Sequence, residues 1–360
     1  MRRAPERRVV LADVARIAGT SEATASRALK DDPRIGAKTR AAVHQAAHKL
    51  GYVPNAAARS LRAQRTHILG LLVRDLADPV HGKVAAGFEE AAAGQGYAVF
   101  IMTGLHDRER EQRALTAFVE HRADGIVVAS CVSEPGEVFA RVPAQRVVFV
   151  QPDYPGLARG EDPPARGVLR TDDAAGFVAT VEHLVGRGYR RIAYVGPGNE
   201  AADTIRRAAT AAALERLSHG PIRFIDAGTD GWRDATMVAR EVAADPPDAL
   251  ICYDDKLALA VLDALRATGL VVPDDMAVTG FDGIPAAHQS WPRLTTVEVP
   301  SVEVGRRAVE MLMASTRDGR MPASEIMPVR LVVGQSTPRT SQTAGRPLSA
   351  VASASRGPRS

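Results

Sequence analysis

At 360 residues the chain is long enough for two or three domains with sizeable cores. Its formal net charge of +4 is unevenly spread: residues 1–65 hold fourteen Lys/Arg against five Asp/Glu, a net +9 that leaves −5 for the rest. A basic module on an acidic body predicts a polyanion partner for the head alone. No run of about 18 apolar residues is available to span a bilayer, and Met1–Arg8 leads into no apolar stretch of the kind that makes a secretory signal. Cys131 and Cys252 sit in apolar runs without metal-ligand spacing, so buried free thiols in a reducing compartment are expected, with no metal and a cytoplasmic location.

In chain order, Val14, Ala15, Ile17 and Ala18 recur at helical spacing, and Gly19 stops that first helix. Ser21 is a good N-cap for a second helix, with Ala25, Ala28 and Leu29 as its buried stripe. Two short helices joined by a tight glycine turn predict a helix-turn-helix. Its second helix would enter a DNA major groove, presenting Glu22, Ala23, Ser26 and Arg27. Lys30–Gly36 is a loop, and Lys38 to Leu50 a third helix closed by Gly51. His44 and His48 stand at i, i+4 on it, a spacing that can hold a metal, but no third ligand accompanies them and a solvated face is expected. Asn55 can cap a short helix through Arg62 that has no large apolar stripe and would not be stable alone.

The stretch Leu11-Ala-Asp-Val-Ala-Arg-Ile-Ala-Gly-Thr-Ser-Glu-Ala-Thr-Ala-Ser-Arg27 resembles the head of the lactose-repressor (LacI/GalR) family, whose pattern runs roughly L-x-D-V-A-x-x-A-G-V-S-x-x-T-V-S-R. Thr20 and Ala25 replace two valines, and Val10 stands where the family has a Thr that caps the first helix. Pro33-Arg34-Ile35, Thr39-Arg40 and the run from Leu50 through Gly51-Tyr-Val-Pro-Asn55 to Leu61 extend the match. The resemblance implies a DNA-binding head over residues 1–50 that uses Leu11, Ser21, Glu22, Ala23, Thr24, Ser26, Arg27 and Arg34. It also implies a hinge over 51–65, where Asn55, Arg59, Leu61 and Arg62 fold on DNA. There Leu61 would wedge into the minor groove, flanked by Arg59 and Arg62 on phosphates.

From Thr66 strands and helices alternate. Strands are expected at Ile68–Val73, Ala98–Met102, Gly125–Ala129 and Val147–Val150, with helices at Val84 to Ala93 and Arg108 to His121. After a Pro-rich loop at 152–166 the rhythm restarts. Strands follow at Ile192–Val195, Ile222–Ile225, Ala249–Cys252 and Ala277–Gly280, and helices at about 173–187, 203–217, 233–244 and 256–268. The fold class is therefore an all-α helix-turn-helix head plus an α/β body of two doubly wound parallel-sheet lobes, resembling the periplasmic-binding-protein type I body. The expected body is 66–335, one lobe from 66–165 plus 296–335 and the other from 166–295. In the resemblance about 296–330 crosses back to the first lobe. From Ser336 to Ser360 the composition is Ser, Thr, Pro, Arg and Ala without apolar period, and disorder is expected.

Parallel sheets bind ligands beyond the carboxyl ends of their strands, so the cleft between the lobes is the candidate small-molecule site. Arg206 matches the family's effector-contacting Arg, although Ala209 and Thr210 replace the Gly-aromatic pair that follows it. Asp282 in Thr279-Gly-Phe-Asp-Gly283 fits the family's G-[FY]-D motif, and Asp254 stands where Asn is usual. Its neighbour Asp255 is expected to be a structural carboxylate at a helix start. The entrance, Asp78-Pro-Val-His-Gly82, lacks the family's N-P-F-F aromatics and offers His81 instead; Asp153 and Trp232 complete the effector candidates. Enzyme motifs are missing: no Gly-x-Gly-x-x-Gly, Walker loop, Gly-x-Ser-x-Gly or His-Glu-x-x-His occurs. The expectation is a homodimeric transcriptional regulator, a repressor, that binds a near-palindromic DNA operator and is switched by a small hydrophilic effector, a sugar or related polyol. It needs no cofactor. The competing expectation is an architectural DNA binder whose body only dimerises.

Overall fold

The computed structural model is described for residues 9–53, 65–150, 167–198, 201–228 and 231–337. Asn55, Arg59, Leu61, Arg62 and Asp153 lie outside the described residues, as does the side chain of Trp232. The chain divides into two compact units, residues 1–66 and 67–360.

Among its described residues the first unit holds three helices, α1 (Leu11–Ile17), α2 (Glu22–Ala28) and α3 (Ala37–Leu50). Val14, Ala15, Ala25, Ala28, Val43, Ala46 and Ala47 form its core, and Leu11, Leu29, Ile35, Leu50 and Tyr52 pack around it. Five of those seven are alanines, whose small side chains let short helices approach closely. Ile17, expected in the same stripe, is 44% exposed, because the core closes on Val14 and Ala15 and leaves Ile17 at its rim. Gly19 and Gly51 both take positive φ, 63° and 60°, and so end their helices as glycine allows at little cost. At the start of α1, Val10 has no side-chain acceptor; only the reciprocal bond forms, Val10 N–H donating to Asp13 Oδ2 at 3.2 Å. Ser21 caps α2 in full, accepting the Thr24 N–H at 3.1 Å.

The second unit is a two-lobed α/β body. Its first lobe runs β1 (Ile68–Val73), α4 (Pro79–Gly94), β2 (Ala98–Thr103), α5 (Arg108–Glu120), β3 (Gly125–Ala129), α6 (Pro135–Phe139), β4 (Val147–Val150) and β5 (Val168–Thr171). Then come α7 (Asp173–Gly186), β6 (Ile192–Gly196), α8 (Ala201–Arg216), β7 (Arg223–Asp226), α9 (Gly231–Ala244), β8 (Ala249–Cys252), α10 (Asp255–Arg266) and β9 (Ala277–Asp282). The last described elements are α11 (Pro285–Gln289), β10 (Thr295–Glu298), α12 (Ser301–Asp318), β11 (Glu325–Met327) and β12 (Arg330–Val332). The strand orders are β11-β5-β4-β3-β1-β2 and β12-β10-β9-β8-β6-β7. Pairing is parallel except between β10 and β12. The central strands are buried along their length, as parallel sheets covered on both faces must be.

Three expectations need correction. Residues 168–171, expected in the second lobe, form β5 of the first sheet, paired with β4 and β11. The stretch from 296 does not simply return to the first lobe. β10 stays in the second sheet, α12 packs on α4 in the first lobe, β11 joins the first sheet and β12 returns to the second. The α12–α4 contact needs glycine on both sides, since a Cβ on Gly87 would sit 1.9 Å from Val302 O and one on Gly305 2.0 Å from Val84 O. The tail does not begin at Ser336 either. Ser336 and Thr337 are buried: Thr295 N–H donates to Ser336 Oγ at 2.8 Å, and Ser336 Oγ donates to Val278 O at 2.5 Å. The Ser336 hydroxyl thus completes backbone bonding along the second sheet, a role that apolar periodicity does not reveal. Cys131 and Cys252 are both buried free thiols.

Candidate functional site

On the helical head, the second helix presents Glu22, Ala23 and Arg27 to solvent and leaves Thr24 and Ser26 half-buried. Its opposite face, Ala25 and Ala28, is fully buried, so the exposed set is the one that packing leaves over. Ser21 Oγ and Thr24 Oγ1 lie 2.9 Å apart, which commits the Ser21 hydroxyl to the helix start. Leu11 packs against the core of the head. Arg34 is clipped by its neighbour: Nε and Nη2 donate to the two Asp32 oxygens at 2.9 and 2.7 Å, and its backbone N–H adds a third bond at 3.0 Å. The Arg34 side-chain bonds hold the Asp32 carboxyl at about 2, below the usual carboxylate range. His44 Nε2 lies 3.2 Å from Asp31 Oδ1, with Arg40 Nε 3.8 Å from the same oxygen. Among the described residues no group of three or more His, Cys, Asp or Glu side chains could hold a metal.

In the body, the carboxyl ends of β8 and β9 and the helix α8 bring Arg206, Asp254 and Asp282 together. Arg206 is almost fully buried. Its Nε and Nη2 donate to Asp173 Oδ2 at 3.1 and 2.8 Å, and Nη1 donates to Tyr253 O at 2.8 Å. The guanidinium carbon lies 4.3 Å from the Tyr253 ring centre and 4.5 Å from that of Phe281. Burial opposes its charge, yet Asp173, Tyr253 and Asp282 outweigh burial and hold the guanidinium well above its ordinary pKa. Among the described residues three of its five guanidinium N–H groups have a hydrogen-bond acceptor.

Asp282 ends β9 with a φ of 106°, a left-handed backbone that an ordinary residue adopts only where the surroundings impose it. Its main chain is pinned by Val299 N–H donating to its carbonyl at 3.3 Å, while its carboxylate has no hydrogen bond among the described residues. Burial pushes its pKa well up, and the nearby carboxylates Asp254, Asp255 and Asp78 push it further against the pull of Arg206. Asp254 caps α10, accepting the Leu257 N–H at 2.7 Å, and burial raises its pKa while Lys256 draws it back. Asp255 is fully buried and tied in place by Thr296 Oγ1 at 2.6 Å and the Ile284 N–H at 2.9 Å. Burial pushes its carboxyl up to about 7. A Cβ on Gly280 would fall 2.2 Å from Asp255 Oδ1, so the glycine of the Thr-Gly-Phe-Asp run makes room for this carboxylate.

His81 is buried on the first turn of α4. Its Nδ1–H donates to Asp75 O at 3.0 Å, leaving Nε2 an acceptor in the neutral ring, and burial holds its pKa below the usual histidine value. In the same lobe, Glu111 of α5 is fully buried and accepts the N–H groups of Val132 and Ser133 at 2.9 and 2.7 Å, fixing the loop after β3. Sequence reasoning missed Glu111, Asp173 and Tyr253. The signal for Asp173 was an acidic pair, Asp172-Asp173, directly after a short strand; Glu111 in a charged helix gave none.

Comparison with known proteins gives the same division. Residues 10–55 match the model of bacterial regulatory proteins of the lacI family, and residues 181–337 match the periplasmic binding protein-like domain. The transcriptional regulator GalR of Salmonella typhimurium strain LT2 is 29% identical over 321 residues, 87% of this chain and 91% of that protein. The transcriptional repressor PurR of Aliivibrio fischeri strain MJ11 is 28% identical over 313 residues, 85% of this chain and 91% of that protein. The lac repressor dimer bound to operator and the anti-inducer ONPF superposes with a TM-score of 0.79 at 25% identity, covering 92% of this chain and 99% of that one. With a helix-turn-helix head, a two-lobed body and relatives that are transcriptional regulators along nearly their whole length, the chain belongs to the lactose-repressor (LacI/GalR) family of transcriptional regulators.

Proposed function

We propose that the protein is a homodimeric repressor whose affinity for a near-palindromic operator is switched by a small hydrophilic effector, a sugar or related polyol, held between the lobes. The observation that carries this is the meeting, at one set of strand ends, of Arg206, with two guanidinium N–H groups that find no acceptor among the described residues, and Asp282, whose carboxylate has no hydrogen bond among them. One donates and the other accepts, which is the mixture that a hydroxylated ligand needs. Asp254, His81, Asp153 and Trp232 complete the proposed effector set. Two copies of the head would read half-sites related by the dimer axis, with Glu22, Ala23, Ser26 and Arg27 at base edges and Leu11, Ser21, Thr24 and Arg34 positioning the helix on the backbone. Asn55, Arg59, Leu61 and Arg62 would form the DNA-induced hinge. Effector and operator each favour a different arrangement of body and hinge, so each alters the affinity for the other by the same factor.

The test is footprinting of the purified protein on DNA upstream of its own gene, then operator titration at fixed salt against a panel of sugars and polyols. A protected near-palindrome whose affinity shifts several-fold with one compound is expected. A footprint that no hydroxylated compound alters would favour a body that serves only dimerisation.

A further inference from the structure

The first turn of α4 does more than line the entrance of the cleft: it docks on the opposite lobe. Asp78 caps this helix with one oxygen, Oδ1, which accepts the Val80 N–H at 2.8 Å. Its other oxygen, Oδ2, receives Lys256 Nζ of α10 at 2.5 Å. Val80 leaves its own lobe's core and joins the apolar cluster of the second lobe that contains Leu257 and Ile284. One turn further along, Lys83 Nζ donates to Gly283 O at 3.1 Å, the residue after Asp282. Thus a salt bridge, an apolar plug and a lysine–carbonyl bond cross between the lobes from six consecutive positions of one helix start. The same Lys256 ammonium lies 3.7 Å from Asp254 Oδ2, so one cation faces both the entrance carboxylate and a cleft carboxylate.

We infer that Asp78 and Lys256 form an ionic clasp that holds the lobes closed in the ligand-free protein and sets the balance between closed and open bodies. The geometry makes Lys256 a positioning residue. It sits on the second position of α10, which Asp254 caps and Asp255 begins, and its partner sits at the cap of the helix that carries His81. Opening the cleft must separate Lys256 from Asp78, pull Val80 from its apolar seat and break the Lys83 bond together. The apolar and carbonyl contacts give closure its register, while the ion pair, half-exposed on the lysine side, is the part that salt and substitution can weaken. The inference rests on the proposed effector cleft only in taking lobe closure as the motion an effector would bias. Its test uses the ligand-free full-length protein and so fails or succeeds separately.

Because both native cysteines are buried, cysteines placed at the exposed Glu109 of α5 and Asp263 of α10 can carry spin labels selectively. Labelled chains are diluted into excess unlabelled protein so that pulsed EPR reads the distance within one chain. A single short distance is expected for the parent, and Lys256→Gln or Asp78→Asn should raise a longer-distance population roughly 3- to 5-fold. Asn retains the helix cap, so Asp78→Asn isolates the charge. The double variant should open no further than either single one. Raising salt to about 1 M, where screening is nearly complete, should open the parent protein and leave Lys256→Gln unmoved. Distance distributions that match the parent in both variants, at low and high salt, would overturn the clasp; so would additive opening in the double variant.

Discussion

The guanidinium of Arg206 forks onto a single oxygen of Asp173, with Nε at 3.1 Å and Nη2 at 2.8 Å, and is sandwiched between the rings of Tyr253 and Phe281. A buried cation held this way is rigid before any ligand arrives. Asp173 opens α7 directly after β5, the last strand of the first lobe before the chain crosses, so the pair also ties α8 to the crossover.

From this pair we expect two separable effects. Asp173→Ala leaves the Arg206 charge without its carboxylate and should destabilise the body by about 3 kcal/mol, the cost of stranding one member of a largely buried pair. Arg206→Ala should abolish the response to effector while operator binding persists. Denaturant midpoints and operator titrations measure the two. Loss of DNA binding in Arg206→Ala would make it a folding residue instead.

On the head, Arg27 is exposed on α2 and unclipped, whereas Arg34 is held by Asp32. Arg27→Ala should weaken operator binding by about 1–3 kcal/mol per half-site if it reads a base edge. Asp32→Ala should free Arg34 to meet phosphates anywhere, raising non-specific affinity and steepening the salt slope by about one unit. Fluorescence titrations on operator and on random duplex across a salt series check both. Equal salt slopes for Asp32→Ala and the parent would mean that the clip does not restrain Arg34.

How much of this was legible in the sequence depends on the length of each signal. The head was readable because helix starts, Gly19 and Gly51 all act locally. The long parallel strands were readable because burial on both faces writes continuous apolar runs, as in Ile68–Val73 and Ala249–Cys252. β11 and β12 have three residues each, too few to show any period, and their place is set by long-range pairing. Within the cleft, Arg206, Asp254 and Asp282 could be placed from a motif. The partners that fix or bridge them, Asp173, Tyr253 and Lys256, come from elements whose neighbourhood only the folded sheets decide. Ser336 was misjudged for the same reason, since its hydroxyl replaces a ladder bond that composition cannot show.

His183 and Thr337 give a pH test of that C-terminal seam. His183 Nε2 lies 3.0 Å from Thr337 Oγ1, which in turn lies 2.8 Å from Thr295 Oγ1, and burial lowers the His183 pKa to about 4. A folded pKa below the unfolded value means that the contribution is fully present above about 6.5 and is lost as pH falls toward 4. The loss should reach about 1–2 kcal/mol, discounted because the ring is half-buried. Asp255, pushed up to about 7, works in the opposite sense: its burial costs nothing below the unfolded carboxylate pKa and is felt increasingly as pH rises through 7. Urea unfolding of the parent and of His183→Gln between pH 4 and 8 separates them. The difference between the two proteins should shrink as pH falls, and a constant difference would show that His183 does not titrate with folding.

The sharpest test of the cleft compares Asp282→Asn with Asp254→Asn. The Asp254 carboxylate already serves a fixed purpose, accepting the Leu257 N–H at 2.7 Å, and an amide oxygen caps a helix nearly as well. Its second oxygen faces Lys256 at 3.7 Å, too far for a direct hydrogen bond. Asp282 differs, because its carboxylate has no hydrogen bond among the described residues and its backbone is already held at a φ of 106°. An acceptor kept in place by main-chain geometry, with no partner among the described residues, is the one the proposed effector's hydroxyls would engage. For a neutral sugar or polyol, Asp282→Asn should therefore weaken effector binding by about 1–3 kcal/mol, roughly 5- to 150-fold. Asp254→Asn should cost less than about 1 kcal/mol, since what it removes is chiefly a charge partly screened by Lys256. If the ligand carries a cation, both carboxylates become direct counter-charges and Asp254→Asn becomes the more damaging change. Calorimetric titration of the two variants with the compound that shifts operator affinity decides the order. Equal, undiminished affinity in both would place the ligand away from the ends of β8 and β9.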